Sequence, residues 1–144
     1  MASKKKKSPR EETILGIDYG ETNVGLAFGR NGQVMPSEVI SGKNAETAIH
    51  DIARYVYENK VERIIMGLPL NVAGKETTQS RKVRRFAKLL KIRSKKPVVF
   101  INEFRTTVDS KTEAITLGIS KKRRQKVDHL SAALILKEYY SGLD

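Results

Sequence analysis

Asp18, Glu103 and Asp128 are the residues of this 144-residue sequence whose positions point to chemistry. Asp18 ends the hydrophobic run that starts at Thr13, Glu103 ends the run that starts at Val98, and Asp128 opens a run that continues through Leu136. Carboxylates at two strand ends and one helix start can converge. Ser131 and Ala132, at i+3 and i+4 from Asp128, keep that helix face small enough to approach a sheet closely. Ionised carboxylates brought together repel unless a cation neutralises them. Hard oxygen donors suit Mg²⁺ or Mn²⁺, and two such ions can clamp the attacking water and the leaving oxygen of a phosphodiester. His50 and His129 are the only histidines, so a zinc or histidine-based site is disfavoured, and the absence of cysteine excludes thiolate sites, disulfides and a cysteine nucleophile. Each carboxylate also has a purely structural reading. Asp18 fits the turn Asp-Tyr-Gly, Glu103 a solvated strand end, and Asp128 the positive end of a helix.

The surroundings are basic in a segregated way. The formal charge is +12, from 28 Lys and Arg against 16 Asp and Glu. Lys4, Lys5, Lys6, Lys7 and Arg10 make a basic N-terminal arm. Arg81, Lys82, Arg84, Arg85, Lys88, Lys91, Arg93, Lys95 and Lys96 follow one another without an acid, and so do Lys121, Lys122, Arg123, Arg124 and Lys126. Outside these segments the chain is net acidic. Clusters without interspersed acids suit a polyanion better than an ordinary solvated face. Arg81, Arg84, Arg85, Lys88, Lys122, Arg123, Arg124 and Lys126 are therefore the candidate nucleic-acid contacts, together with Arg105, which follows Glu103 and is placed to hold a scissile phosphate. No apolar stretch approaches the roughly 20 residues of a membrane span. The N-terminus lacks the apolar core of a secretory signal, so a cytoplasmic location is expected.

The elements that must position these residues read as an α/β domain over 12–144, preceded by a flexible arm at 1–11. Thr13–Asp18 is a buried strand, Tyr19-Gly20-Glu21 a turn and Val24–Gly29 a second strand. Asn31-Gly32 is a hairpin turn, and Gln33–Ile40 returns as a third strand. After Gly42 or Asn44, Ala45, Ala48, Ile49, Ile52, Ala53 and Val56 form one stripe at helical period. Val61–Gly67 is a fourth strand and Leu68–Lys75 a loop. Glu76 to about Ile92 is a helix with Val83, Phe86, Ala87 and Leu90 inward and a basic outer face. Val98–Glu103 is a fifth strand. A short helix is expected from Thr106 or Thr107 through Leu117. The run 121–126 is a linker or the lead-in to a final helix, Asp128–Tyr140, that is apolar nearly all round and so well buried. A meander followed by alternating α and β gives a five-stranded mixed sheet with helices on both faces.

Four segments in order resemble the YqgF/RuvX family of bacterial nuclease-like proteins, within the ribonuclease H superfamily. They are Ile14-Leu15-Gly16-Ile17-Asp18-Tyr19-Gly20 with Val24-Gly25-Leu26-Ala27; Gly67-Leu68-Pro69-Leu70-Asn71 with Gly74; Asn102-Glu103 with Thr106-Thr107; and Val127 through Leu136. The resemblance implies a ribonuclease H-like fold and an Asp–Glu–Asp metal site on Asp18, Glu103 and Asp128. It also implies one of two substrates: the 5′ end of the small-subunit (16S) rRNA precursor, or a four-way (Holliday) DNA junction. The chain departs from the family pattern at Asn102-Glu103-Phe104-Arg105, where the family usually has Asp-Glu-Arg before its Thr pair. A shift of one residue in a strand reverses the side faced, so the family arginine's role does not transfer to Arg105.

Two other classes bear on the same residues. Gly16 to Asn23 also resembles the first phosphate hairpin of actin-like and sugar-kinase ATPases, which build their cleft from two such domains; this chain has room for one. A non-catalytic RNA- or ribosome-binding module is the third reading, and the three intact carboxylates argue against it. Oligomeric state, monomer or dimer, is open at this stage.

Overall fold

The computed structural model describes residues 7–103 and 121–143, the second segment with side chains from Leu130 onward. Five strands form one sheet in the order β3-β2-β1-β4-β5. They are β1 (Ile14–Tyr19), β2 (Asn23–Arg30), β3 (Gln33–Ser41), β4 (Arg63–Leu68) and β5 (Val98–Asn102). The first three make an antiparallel meander, and β4 runs parallel to both β1 and β5. Asn31 and Gly32 turn the β2–β3 corner with φ of 52° and 81°, the paired positive values that a two-residue hairpin of this kind needs. The expected mixed five-stranded sheet is present.

The two helices between the strands begin where a polar side chain satisfies their first amides. In α1 (Ala45–Glu58) Asn44 Oδ1 accepts the Thr47 N–H at 3.0 Å. In α2 (Thr78–Ser94) Thr77 Oγ1 accepts the Ser80 N–H at 2.9 Å while the Thr77 N–H donates to Ser80 Oγ at 2.7 Å. That reciprocal cap starts the helix after Thr77 rather than at Glu76 as expected. Glu76 is left in the preceding loop.

Strand alternation sorts the core into two layers. Leu15, Ile17, Leu26, Ile64, Met66 and Leu68 face α1 and α2, where Ile49, Ile52, Val56, Val83, Phe86 and Leu90 are buried. Ile14, Ala27 and Ile65 face the last helix, α3 (Lys121–Leu143), through Ala132, Ala133, Ile135, Leu136, Tyr139 and Tyr140. Helices thus cover both faces, and β1 and β4 are apolar on both sides because they are central.

The sheet meets α3 at glycines. A Cβ on Gly16 would stand 2.6 Å from Leu136 Cγ and 2.9 Å from the Ala132 carbonyl oxygen, and one on Gly29 would stand 2.8 Å from Tyr140 Oη. Gly29 pairs with Ile14 at the start of β1, so α3 runs antiparallel to that strand. Its earlier turns lead toward the end that carries Asp18.

Several boundaries differ from expectation. Of the two expected readings of the run 121–126, linker or lead-in to the last helix, the structure has the second: the run is already helical, since Lys, Arg and Gln are good helix formers. Asp128 consequently lies inside α3 and does not open it. The helix is not apolar all round in its burial: Leu130 is 56% and Leu134 41% exposed. The outer face of α2 also shows Leu89 and Ile92. The short helix expected between Thr106 and Leu117 lies outside the described residues. Near the N-terminus, Pro9–Glu11 make a 3-10 turn, Lys7 pairs with Glu62 at 2.8 Å, and the Arg10 guanidinium stands 5.6 Å from the Tyr140 ring centroid. No described helix is long and apolar enough to cross a membrane.

Close approach at Gly16 generates a stability prediction. Gly16→Val inserts side-chain volume between β1 and α3 and should cost about 1–3 kcal/mol, as overpacking does. Urea unfolding should show a lower midpoint with an unchanged slope. A midpoint equal to the parent protein's would mean that the helix can retreat at no cost.

Candidate active site

β1 and β5 bring two buried carboxylates to the same end of the sheet. Asp18 is 5% exposed and Glu103 4%. Along β1, Ile14, Gly16 and Asp18 alternate onto the α3 side; along β5, Val99, Ile101 and Glu103 do the same. Between them runs β4. Ile17 pairs with Met66, which sets Asp18 beside Gly67, and Gly67 pairs with Ile101 on the other side. The Glu103 N–H donates to the Leu68 carbonyl at 2.9 Å and carries the ladder one step past β5.

Gly67 is what makes room. A Cβ there would collide with Glu103 Oε2 and stand 2.8 Å from both the Glu103 carboxyl carbon and Ile135 Cδ1. The Glu103 carboxylate therefore lies over a bare stretch of β4, between its own strand and the strand of Asp18. Glycine inside a strand weakens the strand unless something must come close to it; here a carboxylate does.

The third carboxylate, Asp128, belongs to α3, but its side chain lies outside the described residues. Its position in the helix is one turn before Ala132, whose carbonyl oxygen rests against Gly16. Among the described residues no three His, Cys, Asp or Glu side chains form a metal-binding group. The donors that the site does present, Asp18 and Glu103, are carboxylate oxygens, the chemistry that fits a hard divalent cation.

The candidate nucleic-acid contacts separate into two places. Arg81, Arg84, Arg85 and Lys88 lie on α2, across the sheet from the carboxylates, and all four are exposed. Arg84 is engaged within the molecule. It donates to Glu76 at 2.5 and 3.1 Å, lies 5.3 Å from the Phe100 ring centroid, and through its hydrogen bond holds the Glu76 carboxyl below the usual carboxylate range. Lys82 pairs with Glu21. Lys122, Arg123, Arg124 and Lys126 fall in the first turns of α3, and their side chains lie outside the described residues, as does Arg105 entirely.

A profile of the family described as RuvX, Holliday junction resolvase, matches residues 12–142. The chain belongs to this family. Among its relatives is a protein named "Putative pre-16S rRNA nuclease" from Syntrophus aciditrophicus, 35% identical over 135 residues, which cover 90% of this chain and 89% of that one. A protein of the same name from Nitrosospira multiformis is 34% identical over 142 residues, 96% of this chain and 93% of that one. Among solved structures, Thermus thermophilus RuvC in complex with a Holliday junction superposes with a TM-score of 0.59 at 12% identity, covering 90% of this chain and 94% of RuvC. Fowlpox virus resolvase bound to junction DNA gives 0.53 at 14% identity, with 89% and 98% covered. These likenesses establish the fold, which is ribonuclease H-like as the sequence resemblance implied.

Of the two glycines that build the site, Gly67 opens the strand-to-loop exit Gly67-Leu68-Pro69, which the sequence marks as shaping a cleft, while Gly16 carries no such mark. The signal was available in part. Each interrupts an apolar central strand, where glycine marks a close approach, but nothing local says what approaches. For Gly67 the structure names the occupant, and the claim is testable by a double-mutant cycle. Gly67→Ala should cost about 1–3 kcal/mol in chemical denaturation. The same change in a Glu103→Ala background should cost less, by at least about 0.5 kcal/mol. Equal costs in both backgrounds would show that the carboxylate does not fill that space.

Proposed function

We propose that this chain is a metal-dependent phosphodiesterase, an endonuclease that processes the 5′ end of pre-16S rRNA during ribosome biogenesis in the cytoplasm. The observation that carries the reading is the pair of buried carboxylates on one sheet face, separated by the side-chain gap at Gly67. Burying two acidic groups side by side is unfavourable for stability alone. It becomes useful when a cation is to be held. Asp128 is proposed as the third ligand on a matching of repeats. From Gly16 to Asp18 the strand advances about 6.6 Å. From Ala132 back to Asp128 the antiparallel helix advances about 6 Å. The two aspartates then arrive at the same level.

Asp18, Glu103 and Asp128 would hold Mg²⁺ or Mn²⁺, which when bound supplies an activated water and offsets the charge that develops on the phosphate. The residues' own contribution is to fix three oxygen donors in place before substrate arrives. The sheet does this for Asp18 and Glu103 through backbone ladders, and the close packing of α3 on Gly16 does it for Asp128. Cations of the first turns of α3, Lys122, Arg123, Arg124 and Lys126, and Arg105 beyond Glu103, are proposed to hold the phosphate backbone at this end. The basic arm 1–10 adds loose affinity, and the ribosomal particle supplies specificity.

RNA is favoured over branched DNA on the names of the curated relatives and on count. One domain with one site makes one cut, and trimming an RNA end needs one. The family's description as a Holliday junction resolvase keeps the second reading alive, since a resolvase makes two matched cuts from a two-fold assembly.

Two measurements test the reading. Asp18→Asn should lower metal-dependent cleavage at least about a hundredfold, roughly 2.7 kcal/mol of barrier, while its urea midpoint stays at or above that of the parent. Full activity would remove Asp18 from the mechanism. Depletion in the host should lead to accumulation of 5′-extended 16S precursor. Normal rRNA ends, together with symmetric cutting of a synthetic four-way junction by the purified chain, would reverse the substrate order.

A further inference from the structure

The basic face of α2 is on the wrong side of the sheet to touch the bond being cut. Ser80, Val83, Phe86, Ala87 and Leu90 bury that helix against the layer that also holds Leu15, Ile17 and Met66. Asp18 and Glu103 belong to the opposite layer, with α3. A helix is about 10–12 Å across, so the outer surface of α2 lies more than about 15 Å from the carboxylates. The Debye length at physiological salt is only about 8 Å. Charges on that surface are screened from the site and do not act on its phosphate.

They are nonetheless uncompensated. Within α2, Lys82 pairs with Glu21 and Arg84 with Glu76. Arg85, Lys88, Lys91 and Lys95 are exposed, and none of them has an ion pair with an acid among the described residues. From Arg85 to Lys95 they extend along about 15 Å of helix. A second copy of this chain would set like charges against like. Among the described residues α2 exposes no aromatic ring, Phe86 being buried, so it lacks the stacking platform that single strands require. A regular row of cations without rings matches the phosphate backbone of a double helix, read by charge and shape.

We propose that the outer face of α2 grips a double-helical segment of the nucleic acid, distinct from the strand that enters between Asp18 and Glu103. The molecule then holds its substrate at two places, on the two faces of one sheet. This rests on the nuclease reading only for the identity of the second place.

The absence of cysteine from the sequence allows single-site probes. In an Asp18→Asn background, Lys88→Cys and, separately, Val72→Cys would carry a tethered iron chelate that cuts nearby nucleic acid. Val72 is exposed on the loop after β4, at the carboxylate end. The probe substrate is a synthetic hairpin RNA with a stem of about 16 base pairs and a single-stranded 5′ extension. Position 88 should mark the stem and position 72 the extension, without overlap. Arg85→Ala, Lys88→Ala and Lys91→Ala together should lower hairpin affinity at least about tenfold and reduce the log–log salt slope by about 2–3. Both probes marking the same nucleotides would overturn the proposal. So would unchanged affinity with no marks from position 88, which would leave the face to solvent or to an acidic protein. Neither readout needs cleavage by the chain's own site, so an inactive chain would refute the nuclease reading while these results still decide this one.

Discussion

The contact between α3 and the bare backbone of β1 at Gly16 is the constraint on which the remaining geometry depends. With a hydrogen in place of a side chain, the Ala132 carbonyl and the Leu136 side chain come against the strand itself. The separation between helix and sheet is then set by backbone and by small residues, Ser131, Ala132 and Ala133, all buried. Larger groups take up the slack further along, where the Tyr140 hydroxyl reaches Gly29. A helix held this way has little freedom to slide, because its side-chain packing on Ile14, Ala27 and Ile65 is pinned by close approaches at Gly16 and Gly29. Anything carried one turn earlier on α3 is delivered to a fixed height beside β1.

Gly67 extends the same logic across the sheet. Removing one side chain from β4 leaves a slot between β1 and β5 at their carboxyl ends, and the Glu103 carboxylate fills it. Ile135 closes the slot from the helix side. Burial of Asp18 and Glu103 thus follows from strand alternation plus two missing Cβ atoms. Ile14, Ile65 and Ile101 line the same face of the sheet. Two carboxylates buried on one sheet face repel each other when both are ionised.

Much of this was legible beforehand. The β1–β3 meander followed from alternation and from Asn31-Gly32. The α1 stripe is legible after Gly42 or Asn44, of which the structure uses Asn44 as the cap, and the order of strands and helices through β5 matches the expectation. What misled was composition at helix ends. The run Lys121–Lys126 has good helical propensity but no apolar periodicity, so a reading based on periodicity starts the last helix at Asp128, two turns late. That error also made Asp128 a candidate helix-terminal charge, a reading its place inside α3 removes. Similarly, Leu130 and Leu134 are apolar by type, but they fall on the side of α3 turned away from the sheet. Hydrophobic type reports what a residue tolerates; the side it faces depends on the partner element, which sequence alone does not supply.

The location of charge shows the same limit more sharply. A basic cluster and buried carboxylates in one small domain invite the assumption that the cluster serves the carboxylates. Handedness of the βαβ connections decides otherwise. The crossovers from β3 through α1 to β4 and from β4 through α2 to β5 place both helices on one face. α3 follows the edge strand and returns across the other face. The carboxylates, alternating with Ile14, Ile65 and Ile101, must then share the side of α3. The outer face of α2 is kept from them by the sheet, whatever the sequence distance between Lys88 and Glu103, and only the first turn of the helix reaches the carboxylate end, where Gln79 Nε2 donates to the Tyr19 carbonyl at 3.5 Å. Cations near in sequence to Glu103 are therefore on the far side of the sheet from it. Lys122, Arg123, Arg124 and Lys126, by contrast, belong to α3, the helix that covers the carboxylate face.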